Sequence, residues 1–137
     1  MTIHQLSVFI ENKSGTLIKV LDILKAEGIQ LIASTIADTA DYGIFRIICS
    51  NPEKAFEVLK KGGVAVSLCD VFAIDLCDTP GAAASVISSF ASAGVSIAYL
   101  YSFLFAGKGV LIFRTDNVDK TREIIASNGY TSTVLGQ

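Results

Sequence analysis

Leu6, Val8 and Ile10 recur at every second position through residues 5–11, the period of a half-buried strand. Asn12-Lys13-Ser14-Gly15 reads as a turn into a helix over 16–27, where Leu17, Val20, Leu21 and Leu24 keep helical spacing. Gly28 ends that helix at the position favouring left-handed backbone. A second strand is expected over 29–37, a turn over 39–43 and a third strand over 44–49. Asn51 then caps a second helix with Pro52 at its first position, where the missing N–H does no harm. Gly62-Gly63 stops this helix before a short last strand over 64–68.

The same order returns 66 residues later. That shift, made without a gap, sets Gly15, Gly28, Gly43 and Gly63 on Gly81, Gly94, Gly109 and Gly129. It also sets Asn51, Lys54 and Glu57 on Asn117, Lys120 and Glu123. The apolar pattern follows, with Leu6, Val8 and Ile10 falling on Phe72, Ile74 and Leu76. The chain is two copies of one unit, residues 1–69 and 70–137, with only Cys69 and Asp70 between the repeated patterns. Strands are expected near 71–77, 95–104, 109–115 and 130–135 of the second copy, and helices near 80–93 and 118–127. A βαββαβ order is the ferredoxin-like split βαβ, an α+β fold with an antiparallel sheet and its helices on one face.

Composition narrows what such a pair can do. Apolar residues make up 51% of the chain and charged ones 18%, which excludes disorder and leaves more apolar surface than a small monomer hides. With a net charge of −2 there is no basic stripe for nucleic acid. Residues 79–107 carry no charge and are long enough to span a bilayer, but Pro80, Gly94 and a change from helical to extended period within the run point to a soluble chain. Cys49, Cys69 and Cys77 form no CxxC pair, and the amino terminus has no secretory pattern, so a reducing cytoplasmic setting is expected.

Val8-Phe9-Ile10-Glu11-Asn12-Lys13-Ser14-Gly15-Thr16-Leu17 resembles the opening of an ACT domain, as does Ile74-Asp75-Leu76-Cys77-Asp78-Thr79-Pro80-Gly81-Ala82. The shared pattern is an apolar strand, Asp or Asn, any residue, Pro or a small residue, Gly, and an apolar helix. The resemblance covers nearly the whole chain, twice; Ser14 stands in the first copy where proline is usual. It implies tandem ACT domains in a small free-standing regulatory protein that senses an amino acid. It also implies a ligand held between the two units at the loops joining each first strand to its helix.

The chemistry of those loops suits that role. A helix N-terminus offers unpaired N–H groups and partial positive charge to a carboxylate. Gly15 and Gly81 leave the backbone approachable, and Asn12 or Asp78 can accept a hydrogen bond from an α-ammonium. Ser14, Thr16, Leu17, Thr79, Pro80, Ala82 and Ala83 complete the two candidate loops. Helix caps and plain turns would use the same residues, and that reading stands beside the first. The very apolar segment 95–104 is unsuited to an exposed edge. Pairing it with 29–37 would join the sheets side by side into one eight-stranded antiparallel sheet. Tyr99, Leu100 and Tyr101 would then close over one crevice, with Ser34 and Thr35 facing the other.

Catalytic constellations are missing from the sequence. His4, the only histidine, sits at an amino terminus expected to be mobile and has no adjacent nucleophile. Neither loop carries the arginine that an acylphosphatase-like hydrolase on this fold would need. No metal or cofactor is expected. The expected partners are a small amino-acid effector, a second copy of the chain in a homodimer, and an amino-acid metabolic enzyme. The alternative is a ligand-free structural or oligomerisation subunit of such an enzyme complex.

Overall fold

Glycine decides where each helix stops. Gly28, Gly63, Gly94 and Gly129 all hold left-handed backbone, with φ of 66°, 80°, 72° and 68°. After each, an N–H bonds back five residues: Ile29 to Leu24, Val64 to Leu59, Val95 to Phe90 and Tyr130 to Ile125, at 3.0–3.1 Å. This is the Schellman stop, and the residue after glycine turns inward to pack. The helix starts repeat as well, since Asn51 accepts from the Lys54 N–H at 3.4 Å and Asn117 from that of Lys120 at 3.0 Å.

The computed structural model describes residues 2–11, 14–38 and 42–137. Its elements are β1 (Thr2–Glu11), α1 (Ser14–Ala26), β2 (Leu31–Asp38), β3 (Tyr42–Cys49), α2 (Pro52–Lys61), β4 (Val66–Leu76), α3 (Ala82–Ser92), β5 (Ile97–Phe105), β6 (Lys108–Thr115) and α4 (Val118–Ser127). The chain divides into two compact units: His4–Asp70 with Leu135–Gln137, and Val71–Val134 with the first residues of the chain.

In the first unit, Leu6, Val8, Phe45 and Ile47 from the sheet pack against Val20 and Leu24 of α1 and Ala55 and Leu59 of α2. Both helices therefore cover one face. The second unit repeats this with Phe72, Ile74, Leu111 and Phe113 beneath Val86 and Phe90 of α3 and Ile124 and Ile125 of α4. Phe90 meets Phe113 edge-on at 5.2 Å between centroids, filling the centre of that core.

The expected eight-stranded sheet is corrected to six antiparallel strands in the order β2-β3-β1-β4-β6-β5. Two expected strands, 64–68 and 71–77, run together as β4, because no glycine or proline breaks Val66–Leu76 and Cys69 and Asp70 continue the extended chain. The segment 130–135 makes a single bridge, Ile74 to Ser132, supported by Asp75 N–H to Thr131 O and Thr133 N–H to Ala73 O. Nor do 29–37 and 95–103 pair with each other. Among the described residues β2 is hydrogen-bonded to β3 and β5 to β6, and each stands at an end of the strand order.

Two further expectations change, and the reading of residues 79–107 as helix then strand holds. The first helix opens at Ser14, so Gly15 lies within its first turn rather than in the preceding loop. His4 lies within β1, with Nδ1 2.9 Å from Asp70 and Nε2 3.4 Å from Glu53. The Gln137 side chain holds its backbone on both sides, accepting from the His4 N–H at 3.1 Å and donating to its carbonyl at 2.9 Å. Residues 79–107 divide into α3 and β5, and no described helix is long and apolar enough to cross a membrane.

Two outcomes follow from packing. A Cβ at Gly109 would sit 2.8 Å from the Leu76 carbonyl oxygen, whereas at Gly43 it would meet nothing closer than 3.5 Å. Chemical denaturation should therefore show Gly109→Ala destabilised by about 1–3 kcal/mol. Gly43→Ala should be neutral or stabilised by up to about 1 kcal/mol. Burial pushes the Cys49 thiol up, opposed by a backbone hydrogen bond at Asn51 and assisted by the Glu53 charge, while Cys77 is exposed. A thiol reagent near neutral pH should label Cys77 first and Cys49 last, with the Cys49 rate rising as pH increases its small thiolate fraction.

Candidate functional site

The end of β4 and the start of α3 differ from the asparagine-capped entries of α2 and α4. Gly81 is the N-cap of α3 in left-handed backbone, φ 84° and ψ 0°, and no side chain caps the helix. The Ala82 N–H bonds to the Thr79 carbonyl at 3.2 Å, closing the Thr79-Pro80-Gly81-Ala82 turn. Ser85 returns both its N–H and its hydroxyl to the Gly81 carbonyl at 3.0 and 3.2 Å. The first-turn N–H groups beyond Ala82 have no intrahelical acceptor by the geometry of a helix start. A Cβ built on Gly81 meets nothing within 4 Å, so the approach to this turn is open.

Beside the turn lies a cavity of about 250 Å³, formed within the second unit by Leu76, Asp78, Ser102, Leu104, Gly107 and Gly109, with Cys77 and Phe103 completing its lining. Leu76 and Gly109 are paired across β4 and β6, and Leu104 pairs with Gly109 across β5 and β6. With glycine at this crossing the space above it stays empty. Asp78 supplies the one charged side chain of the lining.

A β-bulge decides which β5 side chains face this cavity. Ile97 pairs with Thr115 and packs on the core, but the register slips before Tyr99, which pairs with Arg114. Directly paired residues share a face. Leu100 and Ser102 thus lie with Phe113 and Leu111 on the helix side, and Tyr99 and Tyr101 lie with Arg114 and Ile112 on the other. The same slip occurs between Leu31 and Ala33 of β2. It puts Ser34, paired with Ile47, on the helix side and Thr35, paired with Arg46, on the opposite face.

The structure therefore gathers Asp78 with Ser102 and Leu104, not with Tyr99 and Tyr101. Thr79, Pro80 and Gly81 form the adjoining turn, and Ala82 and Ala83 the first turn of α3. Leu100 stands on the helix side but outside the cavity lining. In the first unit Gly15, Thr16 and Leu17 lie in α1, with Leu17 packed on the core; Ser14 opens that helix, and Asn12 lies outside the described residues. Sequence reasoning missed Leu76, Ser102, Leu104, Gly107 and Gly109. Ser102 and Leu104 share parity with Leu100, a signal that becomes usable once the bulge is known.

The sequence profile of the ACT domain pair matches residues 1–133. Among solved structures, the protein BT0572 from Bacteroides thetaiotaomicron is 39% identical with a TM-score of 0.92, over 99% of this chain and 94% of that one. The ligand-free regulatory subunit of aspartate kinase from Thermus thermophilus shares the fold at 16% identity, TM-score 0.62, over 90% of each chain. Its counterpart from Thermus flavus does so at 18% identity, TM-score 0.59, over 88% of this chain and 86% of that one. No curated protein sequence matches. On the profile match and the doubled βαββαβ pattern, the chain belongs to the ACT domain family, as an ACT domain pair.

Proposed function

We propose that this ACT domain pair is a regulatory, effector-sensing protein without catalytic activity of its own, and that it binds a small amino acid at the α3 entry of its second unit. The observation that carries this reading is the cavity bounded by the Asp78 carboxylate and lying beside an open helix start with no side-chain cap. The ligand carboxylate would take the N–H groups of the first turn of α3, where the helix dipole favours negative charge. Its α-ammonium would pair with Asp78 in a charge-assisted hydrogen bond. The likeness in fold to regulatory subunits of aspartate kinase supports such a role, with an amino-acid metabolic enzyme as the regulated partner.

The same proposal includes a homodimer. Leu100 and Leu104 of β5 are 42% and 77% exposed, although β5 has one hydrogen-bonded neighbour among the described strands. An apolar strand with a free edge is completed by another strand, and a second copy supplies one. That strand would also shield the open side of the cavity. Light scattering at micromolar concentration should give about twice the 14.5 kDa of one chain; a mass of 14.5 kDa counts against the dimer.

One observation favours the ligand-free structural reading. On the helix-free face of the first unit, Phe9 is 46% exposed and stacks on Tyr42 at 4.6 Å, beside an apolar hollow of about 380 Å³ lined by Ser7, Ile44 and Ala65. A melting-temperature screen across the twenty amino acids separates the two. A bound effector at a hundred times its Kd adds about 2.7 kcal/mol of stability, and a structural subunit shows no rise with any of them.

Gly81→Val is a poor probe of the site, since any side chain at φ 84° strains the turn. Asp78→Ala is the better one. It should weaken amino-acid binding by about tenfold or more in calorimetry, the worth of a hydrogen bond to a charged group. Asn12→Ala should leave binding unchanged. The reverse pattern would move the site to the first unit.

A further inference from the structure

Resting on that reading of the site, we infer that the second-unit cavity is selective for amino acids with an uncharged side chain, and that Ser102 is the residue that reads the side chain. Ser102 pairs with Leu111, whose side chain lies in the core beneath α3 and α4, so its hydroxyl stands on the helix side of the sheet together with Leu104. Both line the same cavity as Asp78. With the α-ammonium on Asp78 and the carboxylate at the α3 start, the ligand side chain is directed at the Ser102 hydroxyl and the apolar surface of Leu76 and Leu104.

Charge makes the selection. The lining holds one carboxylate and no cation. Lys108, the nearest cation along the chain, pairs with Phe105 and so has the parity of Phe103 and Tyr101, on the sheet face away from the helices. Arg114 shares that face through its pairing with Tyr99. A ligand with an acidic side chain would bring a second negative charge beside Asp78 with no counter-ion, a like-charge arrangement that rejects wrong partners. A lysine or arginine ligand would bring two cations to one carboxylate. At about 250 Å³ the space also falls below the range of roughly 300–1,000 Å³ usual for larger ligands.

The two units are unequal readers. The 66-residue shift sets Ile36 where Ser102 stands, and Ile36 pairs with core-facing Phe45 while remaining 49% exposed. The hydroxyl is peculiar to the second unit, which is also the one with Asp78.

Calorimetry on the full chain tests this with L-alanine, L-serine, L-valine, L-aspartate and L-lysine. The expected result is binding of at least one uncharged ligand, with aspartate and lysine at least roughly 30-fold weaker. Ser102→Arg, on an exposed strand position, should raise aspartate affinity at least tenfold relative to the best uncharged ligand, while its melting temperature shows the fold intact. Aspartate or lysine within threefold of the best uncharged ligand in the unmodified chain overturns the inference while leaving the binding role in place. So does a folded Ser102→Arg variant with unchanged selectivity. Absence of binding by all five overturns the selectivity and the site reading together.

Discussion

The chain leaves each of its four described helices through a glycine in left-handed backbone, and the positions of the strands depend on that exit. Any other residue would pay a steric penalty of roughly 1–2 kcal/mol there, so the stop is chemically enforced. Ile29, Val64 and Val95, each following such a glycine, are buried. A helix running one residue further would rotate these side chains away from the core. It would also shift the following strand by one residue, which exchanges its two faces. The fixed stops thus hold the faces of the sheet in place, and with them the side chains that line the cavity of the second unit.

The repeat, the caps and the stops were legible in the sequence because glycine, proline and asparagine act through local geometry that needs no knowledge of the fold. Asp78 was legible for the same reason, as part of a turn with Pro80 and Gly81. Ser102 was not. From Val95 and Ile97, strict alternation carries Tyr99 and Tyr101 to the helix side, and the bulge at Ala98 reverses that. A bulge arises from pairing between distant segments, and a run such as Ile97-Ala98-Tyr99 contains no residue that announces one. The merging of two expected strands into β4 was equally hidden, because the repeat marks copies of a pattern and not the geometry of their junction.

Duplication has preserved the scaffold while the two helix entries diverged. Asn51 and Asn117 cap their helices with nearly identical backbone, φ −146° and −144°. Gly15 and Gly81 occupy matching sequence positions yet play different parts, one inside the first turn of α1 and the other a left-handed cap before α3. Pro80, which restricts the backbone just before Gly81, has its counterpart in Ser14 at the first position of α1. Asparagine side chains cap α2 and α4, whereas α3, which packs Val86 and Phe90 on its core just as they pack on theirs, begins at a glycine with no side-chain cap.

Because β4 closes the first unit with its opening residues and begins the second with its closing ones, the seam of the duplication is itself a strand. Proteases need an extended and unpaired stretch to bind, and β4 stands hydrogen-bonded between β1 and β6 in the strand order, so the junction of the two copies offers them a poor foothold.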